Sequence, residues 1–62
     1  MYKNLELELI LHGFDHNDAT RLIGMKSEDF ESAMRGEREF TLEEQIMIAD
    51  LLAGADPSTL FD

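Results

Sequence analysis

Apolar residues fall into four stretches of helical spacing, each closed by a glycine, followed by a short fifth stretch at the end of the chain. Residues 3–12 (KNLELELILH) place Tyr2, Leu5 and Leu9 within about 60° of one another at the helical repeat. Gly13 follows as the residue best suited to a left-handed stop. Leu7, Ile10 and Leu11 point to the other side. The LELELIL string also alternates like a strand, but no second strand exists to pair with it, so a helix is expected. Asp15 can cap a second helix over residues 16–23, stopped by Gly24, and Ser27 a third over 28–35, stopped by Gly36. Thr41-Leu-Glu-Glu44 has the form of a capping box and opens a fourth helix over 42–53. Its predicted inward stripe is Leu42, Ile46, Ala49 and Ala53, and Gly54 ends it. Asp56-Pro57 restarts a short helical turn, with Leu60 and Phe61 placed to close the core from below.

The pattern predicts an all-α, compact five-helix fold in a single domain over residues 1–62. Phe30 is its expected centre, among Ile23, Met25, Ala33, Met34, Leu42, Ile46 and Ala49. The chain has 62 residues and no cysteine, so disulfide and thiolate–metal staples are excluded. No apolar run approaches the length of a membrane span, and the chain opens directly on folded-looking sequence, so no signal peptide and a cytoplasmic location are expected. There is no glycine-rich phosphate loop and no nucleophile elbow, hence no expectation of an enzyme or a cofactor. His12 and His16 stand four apart, a spacing that suits a metal on one helix. Gly13 between them puts them on different elements, and no metal site is expected.

Within this frame, the segment from Asp15 to Gly36 (DHNDATRLIGMKSEDFESAMRG) has the spacing of two short helices crossing at small residues, Ala19 and Thr20, around a turn at Gly24. Together with the GEREF-TLEE exit, the following Q-I-x-IA-x-LL run and the final PSTLF, it resembles the Cro/repressor-type (Xre-type) helix-turn-helix domains of phages and bacteria. The likeness covers nearly the whole chain and is strongest to small stand-alone phage regulators. It implies a repressor-like fold and a transcriptional regulator that docks its third helix in the major groove of duplex DNA. In that comparison His16 takes the place of a phosphate-binding Gln, and Thr20 stands where Ala is common. Ser27, Glu28, Asp29, Glu31 and Ser32 fall on the reading helix, and Arg35 and Arg38 on the phosphate-contacting loop. Arg21 and Lys26 complete the set of candidate DNA donors.

Charge changes this picture. The net charge is −9, which opposes unspecific attraction to nucleic acid or anionic membranes. Residues 16–38 hold four bases against five acids, a local charge of −1, and the remainder carries −8. Acids can accept from cytosine N4, yet those left without a base edge repel phosphate. The alternative expectation is therefore a protein-interaction derivative of the fold: a dimerising adaptor, an anti-repressor or an acidic DNA mimic. Leu7, Ile10 and Leu11 form one apolar patch on the first helix, which small monomers rarely expose. They are the candidate interface for a homodimer or protein partner, with Met47 and Leu51 as possible contributors.

Overall fold

The computed structural model describes residues 1–61 and is all-helical. The elements are α1 (Lys3–Leu11), α2 (His16–Ile23), α3 (Ser27–Met34), α4 (Leu42–Leu51) and α5 (Pro57–Leu60). Helix α2 packs on α3 and α4, while α5 closes against α1 and α4. The body measures 24 × 22 × 19 Å.

Local chemistry explains most helix ends. At α2 the Asp15 carboxylate accepts from the Asp18 N–H at 2.7 Å, and the Asp15 N–H donates back to Asp18 at 3.2 Å. Thr41 and Glu44 make the same reciprocal pair at the start of α4, at 3.1 and 2.9 Å. Asp56 caps α5 through the Ser58 N–H at 3.0 Å. Gly24 turns the chain between α2 and α3 with φ 75°, a conformation that costs other residues about 1–2 kcal/mol.

Four boundaries differ from the pattern-based expectation: α1 ends at Leu11 and α3 at Met34, each one residue early, and the other two have a local cause. Ser27 is the first residue of α3 and not its cap, because the Phe30 N–H donates to the Lys26 carbonyl at 3.1 Å and starts the helix one residue earlier. Helix α4 ends at Leu51 because Ala53 takes a left-handed φ of 61° just before Gly54 at 76°.

The core holds Leu5 and Leu9 of α1, Ala19 of α2, Phe30, Ala33 and Met34 of α3, Ile48, Ala49 and Leu52 around α4, and Phe40 and Leu60. Four aromatic rings run through it edge to face: Phe30–Phe40 at 5.7 Å, Phe40–Phe61 at 5.1 Å, and Tyr2 on both Phe40 and Phe61 at 5.5 and 5.8 Å. Thr20 is the one buried polar side chain among the described residues, and its hydroxyl donates to the Asn17 carbonyl at 3.0 Å.

The inward face of α4 keeps Ala49 but not the rest of the stripe predicted for it. Leu42 and Ile46 are 72% and 48% exposed, and Ala53 lies outside the helix, exposed. Ala49 is buried as expected, and Ile48 and Leu52 are buried in place of the other three. The reason is that this helix is apolar nearly all round, so periodicity singles out no face. Ile23 and Met25 are half-buried against the core.

The register has a direct test by urea unfolding. Phe30→Ala should cost about 3–5 kcal/mol and Ile48→Ala about 2–5 kcal/mol. Leu42→Ala should stay within about 0.5 kcal/mol of the parent. A large loss from Leu42→Ala would restore the other face of α4 as the core face.

Candidate functional site

The α2–turn–α3 unit and the loop after it carry the candidate DNA-contacting residues. Phe30, Ala33 and Met34 fix the inward side of α3. At about 100° per residue the opposite side carries Glu28, Ser32 and Arg35, of which Glu28 and Arg35 are exposed and Ser32 half-buried. Ser27 and Asp29 are exposed on the flanks, and Asp29 lies beside Thr41 and Glu43 at the start of α4. Glu31 turns to the other flank, where it meets His16.

His16 opens α2 and lies between two other helices. Its Nδ1 faces Glu31 of α3 and its Nε2 faces Glu6 of α1. The ring edge rests on Phe30 at 5.1 Å. A neutral imidazole donates from one nitrogen only, so serving two carboxylates requires the protonated ring. Partial burial opposes that charge, but hydrogen bonds and attraction from Glu6 and Glu31 outweigh it and hold the pKa above 6.5. His16 is thus engaged within the fold and not turned outward to a phosphate. Its two nitrogens point away from each other, so the two carboxylates do not converge on one ion. His12, beyond the end of α1, pairs with Glu8 at 3.6 Å and lies on a different element from His16.

The arginines are also engaged. Arg21 pairs with Asp18 at 3.0 Å. Arg35 makes a two-pronged contact with Glu37 at 3.0 and 3.2 Å, which pushes the guanidinium pKa up and the carboxyl pKa down. Arg38 holds Glu44 at 3.1 and 2.8 Å, and this contact lowers the Glu44 pKa despite partial burial. Glu44 therefore serves both Arg38 and the Thr41 N–H. Lys26 is exposed and makes no ion pair among the described residues.

On the far side of α1, Leu7, Ile10 and Leu11 are 54%, 70% and 69% exposed. The nearby carboxylates Glu6 and Glu8 face His16 and His12, and Lys3 is exposed on the same helix. Met47 and Leu51 do not join this patch. They line a separate hollow with Leu22 and Ile23.

Two partnerships had no signal in the sequence. Glu6 and His16 lie across the first turn of the chain, and Glu31 reaches them only because α3 folds back on α2. Asp18–Arg21 and Arg35–Glu37, by contrast, are local spacings. No helix among the described residues is long and apolar enough to cross a membrane. Comparison of the chain with known protein families, with curated proteins and with solved structures finds no match.

The His16 clamp makes stability depend on pH. Its folded pKa lies above the unfolded value, so its stabilisation is fully present below about pH 6.5 and is lost as pH rises through the folded pKa. Denaturant midpoints should fall over that window in the parent and lose this component in His16→Asn. Proton NMR of the His16 ring should give a pKa above 6.5. A value at or below 6.5 would remove the clamp.

Proposed function

We propose that this chain is a small, non-enzymatic helix-turn-helix regulator of the Cro/repressor type, acting in the cytoplasm and docking α3 into the major groove of duplex DNA. The observation that carries the reading is the outward face of α3. With Glu31 drawn to His16 and Asp29 on the α4 side, that face presents Glu28, Ser32 and Arg35. Glu28 and Ser32 can read base edges, with Glu28 accepting from cytosine N4, while Arg35 lies beside them for a phosphate. Lys26, Arg21, Arg35 and Arg38 border it as phosphate contacts. For the three arginines, docking exchanges a carboxylate of this chain for a phosphate.

Those ion pairs favour a second reading. Where the carboxylates outcompete phosphate, the same fold serves as a protein-binding derivative, an adaptor, anti-repressor or acidic mimic of DNA. Titration of mixed-sequence duplexes at low salt separates the two. Glu37→Gln frees Arg35 and should tighten binding, while Arg35→Ala should weaken it to all sequences alike and flatten the salt slope by about one counterion. No response in either variant supports the protein-binding reading.

We also propose that Leu7, Ile10 and Leu11 form a homodimer contact, since one short module reads too little sequence alone. Glu6 turns to His16 and Glu8 to His12, while Lys3 lies exposed on the same helix. Leu7→Glu with Leu11→Glu should give a folded monomer, because neither side chain belongs to the core. Light scattering that finds the parent monomeric at high micromolar concentration would remove the homodimer.

A further inference from the structure

Two adjoining hollows run along the flank of α4 and share Ile23 and Met47. One, of about 330 Å³, adds Leu22, Leu51 and Asp50. The other, of about 380 Å³, continues past Met25 to Asp29 and Glu43 at the start of the helix. Together they make a trough beside a ten-residue helix, about 15 Å long at the rise of an α-helix. Leu22 is 56% exposed beside it.

We infer that this trough is a docking groove for a basic amphipathic helix of a partner protein. The apolar floor of Leu22, Ile23, Met47 and Leu51 suits the anchors of a short helix, and methionine adapts readily to their shape. The rim decides the sign of the partner. Asp29, Glu43 and Asp50 make no ion pair among the described residues. Lys26 lines the same trough and Arg38, held by Glu44, also attracts Asp29 at one end, so four acids face two bases along it. A second copy packed trough to trough would bring the same acids to this rim, and nucleic acid would bring its phosphates. A lysine- or arginine-flanked helix brings the complement. The groove lies apart from the α1 patch and does not depend on the DNA reading.

The probe is a fluorescently labelled peptide of leucine and lysine at helical spacing, titrated into the full chain by anisotropy and by ¹H–¹⁵N NMR. Binding should perturb the amides of residues 22–26 and 43–51. Leu22→Ser, which leaves the charge unchanged, should weaken it by about tenfold, as for one lost anchor. Asp50→Asn should weaken it and reduce its salt dependence, whereas Leu7→Ser on α1 should leave it unaltered. Circular dichroism confirms the fold of each variant. Asp50 is exposed, so its substitution keeps the test intact if Leu22→Ser unfolds. Perturbations centred on α1 or spread over all acidic surfaces, or equal binding by the Leu22→Ser variant, would overturn the groove. Concentration-dependent shifts at Leu22 and Met47 without peptide would assign it to a second copy instead.

Discussion

The contact on which the rest of the structure depends is the packing of Phe40 against Phe30, Phe61 and Tyr2. Phe40 lies in the loop between α3 and α4, yet it is 4% exposed. Its ring ties the residue before α1, the centre of α3 and the residue after α5 into one cluster. Each edge-to-face pair adds about 0.5–1.5 kcal/mol beyond the area it buries. For a chain with no cysteine, that cluster does what a cross-link does in other small domains. It also fixes where Gly36 to Glu39 leave α3, and with them the placement of Arg35 and Arg38. The core thus positions the candidate site.

The His16 clamp is the polar counterpart. It joins α1, α2 and α3 at the rim of the aromatic cluster, with its ring edge on Phe30. A neutral residue at this position would leave Glu6 and Glu31 close together without compensation. The clamp removes one acid from the outer face of α3, so charge on the reading helix is set partly by a residue on another helix. Local composition of α3 alone therefore overstates how acidic its exposed face is.

Much of the fold was legible because its signals are local. The four glycines, the Asp15 and Thr41 caps and Asp56-Pro57 each act within a few residues, and the five helices follow from them. The inward face of α4 was not legible. Leu42, Ile46, Met47, Ile48, Leu51 and Leu52 surround the axis, and only the placement of α2 and α5 decides which of them are buried. Phe40 was hidden for a similar reason, as a single aromatic in a charged loop. At the candidate site, the composition of residues 16–38 identified the bases. It could not identify their partners, because Arg38–Glu44 and His16–Glu6 form only after the chain folds back.

Net charge is a poor guide to what such a domain can approach. At physiological salt, charge is screened over about 8 Å, whereas the body is 24 Å along its longest axis. A ligand at one face therefore responds to the charges near it and little to those opposite. By that measure the surface divides into unlike regions. Along α1, Glu6 and Glu8 face histidines and Lys3 is exposed on the same helix as the exposed leucines. On the outer face of α3, Glu28 stands beside an arginine already paired with Glu37. Along the α4 trough, Asp29, Glu43, Glu44 and Asp50 outnumber Lys26 and Arg38. The excess of −9 is therefore compatible with a neutral contact on one side and an acidic one on another. Which ligand each face admits is decided by how completely its acids are paired within the fold.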